Sequence, residues 1–424
     1  MTFRIVRAFC AALVVAHTSP ALAQGQRNGA LTLPQALQRA ANANPRIAAA
    51  DRTIGMADGR REQAGALPNP VVGFEVDNFA SGSSGLVQGV ETTLMLSQLI
   101  ELGGKRDARV AAALGDYDSA RWEREAARLE LFSETAVAFV AALSAQRRIQ
   151  LLDRQTAALE HLTPLMQRRV EVGASSPSDV SRIQAAVGFT RLERERSRTT
   201  LTVARRDLSV LMGLDQPDFT AVNGDFGRLV KPAPFATLLK AIEDNPQLMR
   251  WTAVRARRDA EVLSARLKAV PDVTASVGWR YYGQTSDNAV RLGVSLPIPV
   301  LDRNRGGIRE AQEAAQKTDA ERAVNRLTLI AVVGKAHDSA NGALQEIDLL
   351  RRTVLPAARN ALSTIEAGYA QGRFTLLEIL DAHRSVADAE LMEHDAMATF
   401  HTALATIEGL TGTPVVLAQA RTAK

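Results

Sequence analysis

The stretch Ala43-Asn44-Pro45-Arg46-Ile47 returns 201 positions later as Asp244-Asn245-Pro246-Gln247-Leu248. Each copy separates a short helical pattern from a medium one, predicted at about 34–43 and 45–67, then 235–244 and 246–269. A repeat of this kind indicates that the chain contains two versions of one structural unit.

Three further landmarks recur at nearly the same offset. Gly103-Gly104 matches Gly306-Gly307, and Val172-Gly173 matches Gln371-Gly372. The two halves also end with similar sequences, at 212–215 and 408–411. The period is far longer than a solenoid unit. We therefore predict a duplication, with a first repeat at 24–230, a second at 231–414 and a tail at 415–424.

Each half contains the same order of predicted elements after its two opening helices. Two strands come next, and then a very long helix, a tight turn and a return helix. The predicted bounds are about 70–79, 90–100, 105–172 and 178–212, then 271–282, 289–299, 306–371 and 375–409, with turns at about 172–180 and 368–382. An unbroken 105–172 helix would be about 100 Å long at 1.5 Å per residue, which no ordinary globular domain accommodates.

The first 23 residues have the pattern of a secretory signal. Arg4 and Arg7 precede an apolar core, and an Ala-x-Ala site predicts cleavage between Ala23 and Gln24. The single cysteine, Cys10, lies inside this segment. The mature chain is therefore expected to have neither a disulfide nor a cysteine metal site.

Composition and motifs argue against several functional classes. Basic and acidic residues alternate along the helices, and aromatic residues make up only 4% of the chain, so nucleic-acid binding is not expected. His394 and His401 could share a helix face, but no third ligand is near them in sequence. No catalytic or phosphate-binding motif is present. We expect no enzyme activity and no cofactor.

The four predicted strands alternate between apolar and polar residues. In the third, for example, Val277 and Trp279 lie opposite Thr274 and Arg280. Their length suits tilted transmembrane strands, although a soluble, half-buried hairpin would alternate in the same way. After the signal there is no apolar stretch near 18 residues, so a membrane could be crossed only by strands. Four strands cannot close a barrel, whereas three chains would supply twelve.

The long helices carry the 3-4 spacing typical of supercoiled packing. One seam runs through Leu129, Phe132, Ala136, Phe139 and Leu143. Pro164 and Pro356 lie within the helical runs and are expected to bend or break them. Gly103-Gly104 and Gly306-Gly307 are both expected at strand-to-helix junctions, where a permissive backbone is needed.

Two segments resemble a known family closely. They are Ser97-Gln98-Leu99-Ile100-Glu101-Leu102-Gly103-Gly104-Lys105-Arg106 and Gly368-Tyr369-Ala370-Gln371-Gly372-Arg373-Phe374-Thr375-Leu376-Leu377-Glu378-Ile379-Leu380-Asp381-Ala382. With the duplicated layout, they resemble the TolC-like outer-membrane efflux proteins over nearly the whole mature chain, and most of all the CzcC-like components of heavy-metal pumps. The resemblance implies a mainly α fold in which duplicated helical hairpins form a periplasmic tunnel. It also implies that four β-strands per chain contribute to a trimeric 12-stranded outer-membrane barrel.

The resemblance further implies a function and a set of site residues. The homotrimer would be a passive exit duct in the outer membrane of a Gram-negative bacterium, in contact with outer-membrane lipid. It would work with a periplasmic adaptor (membrane fusion protein) and an inner-membrane RND-type pump, and it would carry substrates such as heavy-metal cations. Glu378 and Asp381 would form acidic rings at the periplasmic tip, and Asp179 and Tyr369 would help to close it. Arg373 departs from the family pattern, in which the tip arginine aligns with Phe374.

The two tip acids can also be interpreted without the resemblance. Glu378 and Asp381 are three residues apart and share one helix face, so three copies around an axis would place six carboxylates in a narrow opening. Alternatively, both are solvated acids near a helix N-terminus, where acids are favoured anyway. A different class of function also stays open for the whole chain. It could be a periplasmic coiled-coil adaptor or scaffold that does not span the membrane.

Overall fold

The computed structural model describes residues 29–78 and 89–412. The predicted cleavage site at Ala23 and Gln24 and the predicted tail at 415–424 lie outside these ranges. None of the helices in the described ranges is both long and apolar enough to cross a membrane.

The first half of the chain follows the predicted order of elements. These are β1 (Ala30–Thr32), α1 (Leu33–Ala43), α2 (Pro45–Ala64), β2 (Val71–Asp77), β3 (Glu91–Ile100), α3 (Lys105–Glu171), α4 (Pro177–Leu211) and β4 (Ala221–Asn223). Helix α3 has 67 residues and runs antiparallel to α4 as a long hairpin.

The second half repeats the layout. Its elements are α5 (Phe235–Glu243), α6 (Pro246–Leu267), β5 (Val273–Tyr282), β6 (Asp287–Ser295), α7 (Arg305–Leu349), a π-helical turn (Leu350–Val354), α8 (Leu355–Ala370) and α9 (Leu376–Thr411). The predicted fold class, duplicated long helical hairpins with two strand pairs, is confirmed in this single chain.

The repeated Asn-Pro stretches perform the same task in both halves. The Asn44 side-chain oxygen accepts a hydrogen bond from the Arg46 N–H (2.8 Å), and its amide donates to the Leu211 carbonyl (2.8 Å). Asn245 likewise accepts from the Gln247 N–H (2.7 Å) and donates to the Leu410 carbonyl (2.6 Å). Each buried asparagine therefore caps one helix and ties it to the end of the return helix, α4 or α9.

The two glycine pairs, in contrast, do not play equivalent roles. Gly103 and Gly104 have φ values of +74° and +80° at the junction between β3 and α3, as expected. Gly306 and Gly307 lie inside α7, and the left-handed conformation belongs to Asn304 (φ +53°). The prediction for the second junction was wrong by two residues, because asparagine also tolerates this backbone region.

The two prolines also differ. Helix α3 continues through Pro164 without a break. Pro356 is the second residue of α8, two positions after the end of the π-helical turn Leu350–Val354. A proline removes one backbone donor and crowds the carbonyl four residues earlier, and a wider turn relieves that crowding.

Strands β2, β3, β5 and β6 form one antiparallel sheet in the order β2-β3-β5-β6. Its centre is the pairing of β3 with β5, which joins the two halves of the chain. Cross-strand partners share a face, so the register Val72–Leu96–Val277–Leu292 defines an apolar row. Leu292 in that row is 79% exposed. The apolar face of this sheet is therefore uncovered in the single chain.

The opposite face of the sheet is polar. Arg280 donates hydrogen bonds to Thr93 (2.8 Å), Glu91 (3.0 Å) and Asp77 (3.2 Å), which lie on β3 and β2. As predicted, the charged residues avoid the apolar face, and this arginine links strands from both halves of the chain.

The helical body buries its apolar residues internally. Ala136, Phe139 and Leu143 of the predicted seam are fully buried, whereas Leu129 and Phe132 are half-buried. The connection between the halves crosses this core, where it contributes Phe219, Val222 and Phe226. Within it, β4 pairs in parallel with β1, a contact that the sequence analysis did not predict.

Candidate functional site

The turns of the two long hairpins lie together at one end of the molecule. Their contact is an apolar cluster of buried Met166, Ile183, Val187 and Leu376, against which Tyr369 and Val180 pack. The segments predicted from sequence as the tips, about 172–180 and 368–382, are therefore close to each other in space. We call this region the tip.

Each turn is built by a capping box. Ser176 accepts from the Ser178 N–H (3.3 Å), and the Asp179 carboxylate accepts from the Ser176 N–H (3.2 Å). In the second hairpin, Glu378 accepts from the Thr375 N–H (2.7 Å) and hydroxyl (2.8 Å). Such reciprocal bonds satisfy the free donors at the start of a helix and fix the direction of the turn.

Of the residues predicted to close the tip, Tyr369 lies between the hairpins and Asp179 turns back onto its own helix. The Tyr369 hydroxyl faces the Met166 sulfur at 3.6 Å. The Asp179 carboxylate is engaged with Ser176. The structure brings both residues into the tip region, and it gives no hydrogen bond between them.

The two acids predicted to form a ring are both exposed on α9. The hydrogen bond from the Thr375 N–H, followed by that from its hydroxyl, lowers the pKa of Glu378 from its ordinary value. Asp381 lies one helical turn further on and lines a groove of about 1000 Å³ between the hairpins. Two exposed acidic side chains on one helix face would attract cations.

The groove also contains a histidine that the sequence analysis did not single out. His383 of α9 lies 3.3 Å from the Glu366 carboxylate of α8, and its side chain is 13% exposed. Burial is the main effect on its pKa, which is lowered despite the opposing effect of Glu366. Within residues 29–78 and 89–412, no three histidine, cysteine or carboxylate side chains come together as a metal site.

His394 and His401 of α9 are buried at 5% and 1% exposure. The His394 Nε2 atom lies 3.0 Å from the Ser144 hydroxyl, and the His401 Nε2 atom lies 2.8 Å from the Phe226 carbonyl. The Phe226 ring is 5.3 Å from His394 and 5.2 Å from His401. The two imidazoles therefore hold the connection between the halves against α3 and α9.

A further residue at the tip, Arg169, was missed by sequence reasoning. Its guanidinium lies 4.7 Å from the centre of the Tyr369 ring. Arginines are common on these helices, so the residue type alone does not distinguish Arg169 in the sequence. The one available signal is its position three residues before Val172-Gly173, the predicted turn.

Comparison with known proteins shows which family and which relatives the chain resembles. The family model described as outer membrane efflux protein matches residues 36–214 and 237–413, which correspond to the two halves. The cobalt-zinc-cadmium resistance protein CzcC of Cupriavidus metallidurans is 29% identical over 385 residues, covering 91% of this chain and 90% of that protein.

Solved structures share the fold. The crystal structure of CusC has a TM-score of 0.77 and 16% identity, and the match covers 93% of this chain and 96% of that one. The outer membrane protein VceC of Vibrio cholerae has a TM-score of 0.73 and 18% identity, with 90% and 96% covered. The family match gives the chain the function of an efflux exit duct in the outer membrane, with its helical hairpins in the periplasm, and the adaptor alternative is not favoured. The chain belongs to the outer membrane efflux protein family.

Proposed function

We propose that three copies of this chain form one channel, in which the strands make a 12-stranded barrel and the helical hairpins make the tunnel. In this arrangement residues 24–230 and 231–414 are the two repeats of each copy. The main support is the sheet β2-β3-β5-β6, whose two outer strands each have one partner among the described strands. The apolar face of such a sheet is stable against lipid, but the unpaired backbone N–H and C=O groups of an open strand edge are not.

The mass of the purified assembly in detergent tests this proposal. A trimer that inserts into planar bilayers and gives discrete conductance steps is the expected result. A monomer that conducts no current in the same bilayers would contradict both the trimer and the barrel.

We further propose that the duct carries heavy-metal cations. CzcC bears the name of a cobalt-zinc-cadmium resistance protein, and a second relative, CnrC, is named as a nickel and cobalt resistance protein. The exposed carboxylates of Glu378 and Asp381 at the tip suit a cationic substrate, because three copies would line the opening with six negative groups.

In this proposal the duct conducts passively and works together with two other proteins. A periplasmic adaptor and an inner-membrane RND-type pump deliver the substrate to the tip, and the pump supplies the energy. Tyr369 helps to hold the tip shut through its contacts with the first hairpin, and Asp179 contributes by fixing the turn that it caps.

The experiment that tests the acidic ring is a pair of double variants. Glu378→Ala with Asp381→Ala should lower cation preference in a KCl gradient and weaken block by added Zn²⁺, because the ring of carboxylates is gone. Glu310→Ala with Glu313→Ala is a matched control, since these exposed acids of α7 have the same spacing away from the tip. Unchanged selectivity in the tip variant would remove Glu378 and Asp381 from the pathway.

A further inference from the structure

Arg169 and Tyr369 occupy nearly equivalent positions of the two halves, 200 residues apart and close to the ends of α3 and α8. The guanidinium of Arg169 stacks over the Tyr369 ring with 4.7 Å between its central carbon and the ring centre. One terminal nitrogen of the same group donates to the Tyr369 carbonyl at 3.5 Å. One arginine of the first hairpin thus contacts both the ring and the backbone of the second hairpin.

The surroundings of this pair strengthen the contact. Tyr369 packs against the apolar cluster of Met166, Ile183, Val187 and Leu376, so the ring has little freedom to turn away. The Nε atom of Arg169 is buried and has no hydrogen-bond partner among residues 29–78 and 89–412. A cation that has lost part of its water shell gains more from the face of an aromatic ring than an exposed cation does.

The alternative partner for Tyr369 is already occupied. The Asp179 carboxylate accepts from the Ser176 N–H within its own turn, and the Tyr369 hydroxyl points to the Met166 sulfur. The ring of Tyr369, rather than its hydroxyl, therefore makes the charged contact between the hairpins.

We propose that Arg169 is a positioning residue for tip closure, which holds the second hairpin against the first through a cation–π contact with Tyr369. This inference rests on the proposed function, in which the tip is the closed end of the channel. For the tip to open, α8 must move away from α3, and this contact must break.

The test measures the leak conductance of the channel in planar bilayers without adaptor or pump. Arg169→Met removes the charge and keeps an apolar stem, and Arg168→Met is the matched control because Arg168 is the exposed neighbour on the same helical turn. We expect Arg169→Met to raise the leak at least about two- to fivefold, since contacts of this type contribute about 0.5–1 kcal/mol per copy even where the cation is fully exposed. Arg168→Met should leave the leak at the wild-type level.

Variants of Tyr369 separate the ring from the hydroxyl. Tyr369→Phe keeps the ring and should leak like the wild type, whereas Tyr369→Leu should leak like Arg169→Met. The double variant Arg169→Met with Tyr369→Leu should leak no more than either single variant, because both remove one contact. If Arg169→Met fails to assemble, the two Tyr369 variants still decide between ring and hydroxyl.

Several outcomes would overturn the inference. They are a wild-type leak in Arg169→Met, an equal rise in Arg168→Met, and an equal rise in Tyr369→Phe and Tyr369→Leu. The proposed function fails separately, if the wild-type protein forms no channel in the same bilayers.

Discussion

The sheet and the helical body of this protein treat apolar side chains in opposite ways. In the helical body Phe139 is fully buried, at 0% exposure, whereas in the sheet Leu292 is 79% exposed. The helical body buries its own apolar core, so its stability does not require lipid. The sheet leaves its apolar face to its surroundings, so its stability is expected to depend on lipid and on further copies of the chain. The tendency of apolar side chains to leave water is therefore satisfied within the chain in the helical body, whereas in the sheet it requires contacts from outside the chain.

The largest expected effect is in the helical core. Phe139→Ala should lower the free energy of unfolding by about 3–5 kcal/mol, because a fully buried phenylalanine leaves a cavity when it is truncated. The loss should be the same in detergent and in lipid. Thermal or denaturant unfolding of the purified assembly measures it.

Arg147→Gln is the control for this substitution, since Arg147 is exposed on the same helix. A similar loss of unfolding free energy in both variants would contradict the burial of Phe139 in the helical core.

The second effect belongs to the sheet and should depend on the environment. Val277→Arg, on the apolar face, should cost about 2–4 kcal/mol near the middle of a bilayer and impair assembly there. Thr274→Arg places the same charge on the polar face of the same strand and should be milder. Refolding into lipid vesicles, with the folded fraction followed over denaturant, measures both. Equal effects on the two faces would contradict the assignment of the apolar face to lipid.

The smallest effect is a pH dependence confined to the helical body. Burial lowers the pKa values of His394 and His401 below their ordinary values, so these imidazoles are neutral in the folded protein at neutral pH. Because the unfolded chain binds protons more readily, stability should be constant above about pH 6.5 and fall as the pH drops through the folded pKa values.

The charged groups around the two imidazoles do not reverse the direction of these pKa shifts. Asp395 and Glu393 raise the pKa of His394 and Arg148 lowers it, while Asp225 raises that of His401, but burial outweighs them all. His401→Gln should flatten the acid side of a plot of melting temperature against pH, and His161→Gln, at an exposed position, should not. An unchanged slope in His401→Gln would exclude this histidine as the source.

Much of the fold could be predicted because its signals are local and periodic. The alternation in the strands, the Asn-Pro stretches and the 3-4 spacing around Phe139 depend on neighbours in sequence. The pairing of β1 with β4 could not be predicted in this way, since it joins two three-residue segments almost 200 positions apart. The second glycine pair misled for a different reason, because Asn304 took the backbone conformation that glycine was expected to supply.

The tip was predictable in position but not in its contacts. Turn residues and the shared face of Glu378 and Asp381 can be identified from spacing alone. Whether Asp179 contacts Tyr369 or caps its own helix is a choice between two hydrogen bonds of similar strength, and spacing does not decide it. The stacking of Arg169 on Tyr369 depends on how two hairpins meet, which is a property of packing.

The π-helical turn at Leu350–Val354 has a consequence for how the second hairpin tolerates changes of length. A turn of this kind accommodates one additional residue while the helices on either side keep their phase. Elsewhere in α7 or α8, deleting one residue would rotate everything beyond it by about 100° and turn apolar positions away from their partners. Within Leu350–Val354, the same deletion would convert the wide turn into ordinary α-helix and leave the flanking faces aligned.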